Sequence, residues 1–239
     1  MQEHNSGRSF ASTAGQTPGS SKPDPILIAD NIVRHFGGLT AVNVEHLEIQ
    51  RGSITALIGP NGAGKTTFFN LLTGYDSPNS GTWSFNGKAL NGIPPHKVAR
   101  LGMVRTFQLT KALYRLTVLE NMLLGAKQQK GESVLFSVFP WIWSAQEDAF
   151  RVKAVSILKN FKLIEKQDDF AAALSGGQRK LLEMARALMV EPEMVMLDEP
   201  MAGMNVEEKR DMCRFILKVN DELGTTIVLI EHDMGVVMD

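Results

Sequence analysis

No stretch constrains this chain as strongly as Gly59-Pro60-Asn61-Gly62-Ala63-Gly64-Lys65-Thr66-Thr67. It follows an apolar, β-branched run at residues 53–58 and precedes an apolar, helix-like run at residues 68–72. Strand, glycine-rich loop, Lys-Thr and helix, in that order, make a full P-loop. Its glycines let backbone N–H groups converge on phosphate oxygens, and the helix N-terminus adds a favourable dipole. In such a loop Gly59, Pro60, Asn61, Gly62, Ala63, Gly64, Lys65, Thr66 and Thr67 surround the phosphates. Lys65 reaches the β- and γ-phosphates and so counts as catalytic, while the Thr66 hydroxyl ligates Mg²⁺.

A loop of this kind sits on an open, mostly parallel sheet, and the rest of the chain supplies one. Residues 194–197 and 226–230 match 53–58 as short buried strands, each leading directly into polar residues. They alternate with longer amphipathic runs, the pattern of strands joined by crossover helices, so the fold class is α/β. Ligands of such sheets bind beyond the carboxyl ends of the strands. Residues 26–34, 44–49 and 81–85 read as a smaller antiparallel β layer, and about 109–190 as an α-helical subdomain. Within the latter, residues 125–147, with Trp141 and Trp143, form an excursion that either covers a helix pair or docks a partner. Residues 1–24, rich in Ser, Gly, Thr, Gln and Pro, read as a disordered leader before a domain at 25–239.

Two further segments carry chemistry. Leu174-Ser175-Gly176-Gly177-Gln178 opens the amphipathic run at 179–190. Alone it is a helix N-cap, for which serine is favoured; beside a P-loop it is a second phosphate-facing turn. Met194-Val195-Met196-Leu197-Asp198-Glu199-Pro200 is a hydrophobic strand ending in two carboxylates. Neighbours on a strand point to opposite faces, so the two divide the work. Asp198 suits the metal shell, and Glu199 suits a general base that polarises an attacking water.

Taken together, the P-loop, Leu-Ser-Gly-Gly-Gln and the apolar strand ending in Asp-Glu-Pro resemble the ATP-binding subunits of ABC transporters, from about Ile26 onward. The resemblance implies a P-loop nucleoside triphosphatase that binds ATP and Mg²⁺. Two subunits would clamp ATP between one P-loop and the other's Ser175, Gly176, Gly177 and Gln178. It implies that Phe36 stacks on adenine, in a place where tyrosine is more usual. Gln108, in Arg105-Thr106-Phe107-Gln108, matches the glutamine that senses Mg²⁺ and faces the membrane-spanning partner. His232, in Ile230-Glu231-His232-Asp233, matches the histidine that contacts the γ-phosphate. Ala202-Gly203-Met204-Asn205 stands where the family has its D-loop, with Asn205 replacing the usual aspartate. The wording around these motifs, with Leu116-Thr117-Val118-Leu119-Glu120-Asn121, is similar to the LivG-type subunits of branched-chain amino-acid importers. The partners this implies are a second ATP-binding subunit and transmembrane permease subunits, with peripheral placement on the cytoplasmic side of the plasma (inner) membrane. Related subunits continue past the point where this chain stops, seven residues after His232, so its C-terminal edge reads as truncated.

Other readings within reach are a urea importer or lipopolysaccharide exporter subunit, a soluble ABC ATPase that remodels nucleic-acid complexes, and a module that binds ATP without hydrolysing it. A formal net charge of −1 gives no support for nucleic acid as a partner. Intact Glu199 and His232 argue against the last reading. No apolar run is long enough to span a bilayer, so membrane contact is through the permease. The single cysteine, Cys213, excludes an intrachain disulfide and reads as a buried, inert thiol.

Overall fold

The computed structural model describes residues 21–106, 113–126 and 140–231, with side chains from 146 onward in the last stretch. Two strands, β1 (Pro25–Phe36) and β2 (Leu39–Gln50), form a long antiparallel hairpin closed by Gly37-Gly38, with Phe36 opposite Leu39. Gly37 has φ 57°, a conformation that glycine adopts without a Cβ clash. β4 (Ser80–Phe85) pairs with the other edge of β1, and β5 (Lys88–Ala89) completes a sheet of order β2-β1-β4-β5.

A second sheet is wholly parallel. It comprises β3 (Ile54–Ile58), β6 (Met103–Arg105), β7 (Met194–Asp198) and β8 (Thr226–Glu231), in the order β3-β8-β7-β6. Every residue of β7 and β8 is buried, which explains why these strands read as continuous apolar runs. The two-residue period of a strand then divides the core. Val195, Leu197, Ile227 and Leu229 face one cluster, packed under the helices; Met194, Met196, Val228 and Ile230 face the other, shared with the antiparallel sheet.

Among the described residues six helices surround the sheets: α1 (Lys65–Leu72), α2 (Pro95–Arg100), α3 (Val118–Leu123), α4 (Pro140–Asn160), α5 (Gly176–Leu188) and α6 (Val206–Leu223). Capping boxes start three of them, pairing Thr117 with Glu120, Ser175 with Gln178 and Asn205 with Glu208. The Asn205 side chain accepts from the Glu208 amide (2.9 Å), while the Glu208 carboxylate accepts from the Asn205 amide (3.1 Å). We expect Asn205→Ala to cost about 1 kcal/mol, the typical worth of an N-cap. Scanning fluorimetry should show a fall in Tm of roughly 2–4 °C for a domain of this size; an unchanged Tm would show that the cap contributes nothing.

The antiparallel strands run further than residues 26–34 and 44–49. Hairpin pairing carries them through a mostly exposed stretch on both sides of the Gly37-Gly38 turn, where the apolar residues Phe36 and Leu39 face solvent. β5 and β6, of two and three residues, are too short to leave a pattern. Between α4 and α5 the chain makes two 3₁₀ turns, Ile164–Lys166 and Ala171–Ala173, and Phe170 bridges to Thr117. Most of the 125–147 excursion and the side chains of Trp141 and Trp143 lie outside the described residues, as do residues 1–20 of the leader. Cys213 lies on α6 and is only partly buried, its Sγ 3.8 Å from Met201 Sδ. Among the described residues no helix is long and apolar enough to cross a membrane.

Candidate nucleotide site

The loop between β3 and α1 is built from backbone demands. Gly64, which precedes α1, has φ 81°, and a Cβ there would stand 2.0 Å from the Ala41 carbonyl oxygen. The backbone of β2 therefore packs directly against the loop, and only glycine fits between them. Asn61, Gly62 and Ala63 are exposed, and Gly62 also has a positive φ of 83°. Thr67 is half-buried in the first turn of α1. Lys65 is buried and curls back on its own loop, its Nζ donating to the carbonyls of Gly59 (2.7 Å) and Pro60 (2.8 Å).

At the end of β7, Asp198 is 2% exposed. Its Oδ1 accepts from the exposed Thr66 hydroxyl at 3.3 Å, and its Oδ2 pairs with Arg105 Nη2 at 2.8 Å. Arg105, on β6, also donates to Asn70 of α1 (2.6 Å) and lies over the Phe69 ring at 5.7 Å. Edge strand, central strand and P-loop helix are thus tied together through one carboxylate. The Thr66 hydroxyl and Asp198 carboxylate are the hard oxygen donors that Mg²⁺ takes. The described residues hold no cluster of three or more His, Cys, Asp or Glu side chains suited to a metal. This donor set fits an ion held by one carboxylate and one hydroxyl and completed by substrate phosphates, the usual mode for Mg²⁺.

Glu199 follows the strand rather than lying on it. Its φ is +49°, in the left-handed region that non-glycine residues rarely occupy. Its direction comes from this kink and not from strand alternation, so the expectation of opposite faces on one strand is corrected here. A strained residue held by its surroundings is a common feature of functional sites. The Glu199 amide donates to Ile230 O (3.1 Å), and its carbonyl accepts from Lys180 Nζ (3.1 Å), which also donates to Ala202 O (2.6 Å). Burial pushes the Lys180 pKa below its ordinary value, while the carboxylates of Glu231, Glu183 and Glu199 oppose that fall.

The Ser175-Gly176-Gly177-Gln178 turn opens α5, with Ser175 and Gly176 exposed. The Ser175 hydroxyl accepts from the Gln178 amide (3.1 Å) and donates to Glu208 Oε1 (3.0 Å). A Cβ on Gly177 would lie 2.4 Å from the Glu208 carboxyl carbon, so glycine makes room for that carboxylate. Phe36, 49% exposed, ends β1; one face of its ring is covered by the Arg34 guanidinium, 4.6 Å from the centroid, which Asp76 holds at 2.8 Å. Gln108 and His232 lie outside the described residues.

Arg34, Arg105, Lys180 and Glu208 escape a reading of the sequence. Arg105 was in view beside Gln108, but its partner Asp198 is 93 residues away. Lys180 is adjacent to the Ser-Gly-Gly-Gln turn, where a lysine on an amphipathic helix reads as a solvated charge.

A P-loop on a parallel sheet, with Asp198 against Thr66 and an acid just beyond the strand, defines a nucleoside triphosphatase of the ATP-binding cassette class. The chain belongs to the ABC transporter family, whose model matches residues 42–202, and is an ATP-hydrolysing, transport-coupled subunit. It is 42% identical over 216 residues to a Salmonella typhimurium protein, the high-affinity branched-chain amino acid transport ATP-binding protein LivG, covering 90% of this chain and 84% of that one. It is 39% identical to the Pseudomonas aeruginosa transport ATP-binding protein BraF, with the same coverage of both chains. Among solved structures, the ADP conformation of an ATP-binding cassette of an ABC transporter superposes with TM-score 0.76 at 38% identity, covering 90% of this chain and 84% of that one.

Proposed function

We propose that the chain, as one domain over residues 25–239, powers a branched-chain amino-acid importer by clamping Mg-ATP in a head-to-tail dimer with a second ATP-binding subunit. The observation that carries the site reading is that the P-loop and Asp198 meet at the carboxyl ends of β3 and β7, the two parallel strands that flank β8, with Glu199 next in the chain. The named activity of the LivG and BraF relatives carries the substrate class. Lys65 swings from its loop carbonyls to the β- and γ-phosphates, and Thr66 and Asp198 would hold Mg²⁺, which would offset phosphate charge. Glu199 orients and activates the attacking water. Gln108 and His232 take the roles of metal sensor and γ-phosphate contact. The partner's Ser175, Gly176, Gly177 and Gln178 close the site from the other side, so loss of the γ-phosphate loosens the clamp. The subunit acts on the cytoplasmic side of the membrane through permease subunits.

Phe36 offers adenine its uncovered face, the other being taken by Arg34. Base stacking on an aromatic ring is worth about 1–3 kcal/mol, so Phe36→Ala should raise KM for ATP roughly 5- to 150-fold at little cost in kcat. Phe36→Tyr should match the native chain. An unaltered KM in Phe36→Ala would remove the ring from adenine recognition.

The substrate reading is tested in proteoliposomes holding the chain with its co-purified membrane subunits. ATP turnover stimulated by leucine, isoleucine or valine supports the reading; indifference to all three with stimulation by another solute overturns it.

A further inference from the structure

The turn that carries Glu199 is gripped from two sides. β8 holds its amides: Glu199 N–H donates to Ile230 O (3.1 Å), and Met201 N–H donates to the buried Glu231 carboxylate (3.3 Å). Lys180, in the second turn of α5, holds its carbonyls at Glu199 (3.1 Å) and Ala202 (2.6 Å). The Ala202 amide closes the turn onto Glu199 O at 3.2 Å. A left-handed glutamate is unfavourable in isolation and persists only where the surroundings over-determine it. Desolvating an ammonium is likewise costly unless its hydrogens are satisfied, so each group explains the other's presence.

The same helix begins at Ser175, whose turn faces outward. At 1.5 Å of rise per residue, Ser175 and Lys180 are about 7.5 Å apart along the axis of one rigid element. We propose that Lys180 is a positioning residue for Glu199, coupling the Ser175 end of α5, which meets the partner's nucleotide, to the base that serves the chain's own nucleotide. This rests on the reading of Glu199 as the base and of Ser175 as the partner-facing contact. Lys180 Nζ meets backbone carbonyls of the Glu199 turn. It sets the angle of the turn, and a shift of α5 on dimer closure reaches Glu199 through the two carbonyl contacts.

The test is steady-state phosphate release by the full chain over a range of Mg-ATP concentrations. Lys180→Met keeps the length of the side chain and removes the donors. Its kcat should fall roughly 10- to 100-fold, as expected for a misplaced catalytic group, with KM within about threefold of native and a lower Hill coefficient. Lys180→Arg, which still donates to both carbonyls, should recover most of kcat; Lys180→Gln, shorter and neutral, is the second truncation if the Met variant does not fold. A Met or Gln variant that is folded and has native kcat overturns the inference, as does an Arg variant as slow as the Met one. Glu199→Gln in the same assay separates the two readings: if it turns over ATP, the assignment of the base fails; if it is inactive while Lys180→Met is native, only the Lys180 inference fails.

Discussion

Glu199→Gln is expected to stop ATP turnover while leaving nucleotide binding intact. The change preserves size and removes the charge that lets the side chain accept a proton, and general-base contributions are typically about 10²–10⁴-fold. Binding should survive because the groups expected to meet the nucleotide lie elsewhere: Lys65 and Thr66 on α1, Asp198 on β7, Phe36 on β1. The backbone contacts of the Glu199 turn, from Ile230 and Lys180, involve its amide and carbonyl and are untouched by the substitution. Phosphate release and fluorescent-nucleotide titration on the same preparation would check both halves. Turnover close to native would take Glu199 out of the role of base.

The second large effect is expected at Arg105. Its guanidinium and the Asp198 carboxylate are 4% and 2% exposed and meet at 2.8 Å. Breaking a buried pair by removing one partner leaves an uncompensated charge, at a cost of about 3–5 kcal/mol. Arg105→Met should therefore lower Tm by roughly 6–20 °C in a domain of this size. The variant also loses the bond to Asn70 on α1, so the P-loop helix loses a tie to the edge strand. Adding Asp198→Asn to Arg105→Met should restore much of the stability, because the stranded charge goes with it, and should not restore turnover, because the metal-facing carboxylate goes too. If Arg105→Met melts as the native chain does, the pair does not support the fold in this way.

What could be read from the sequence follows from where the side chains lie. β3, β7 and β8 are buried strands of a parallel sheet, and their apolar runs point to the sheet and, through it, to a ligand site at the strand ends. The P-loop is legible because its residues stand in one contiguous stretch between a strand and a helix, with glycine at positions 62 and 64 where the backbone is left-handed (φ 83° and 81°). The supports of the site are long-range and leave no local mark. Ser175 and Glu208 are 33 residues apart, and Arg105 and Asp198 are 93 apart. Asn205, read as a departure from the usual aspartate of the D-loop, proves to be the N-cap of α6, a place where asparagine and aspartate serve equally. Alternation does not set the direction of Glu199, because the strand ends at Asp198, and a left-handed φ cannot be read from Asp-Glu-Pro.

The central claim is that two cassettes close on ATP, and it is tested most directly by the mass of the Glu199→Gln chain with and without Mg-ATP. Size-exclusion chromatography with light scattering should show a dimer that forms with Mg-ATP and reverts to monomer when nucleotide is withdrawn. A monomer under both conditions, with binding shown by titration, would contradict closure between two copies of this chain.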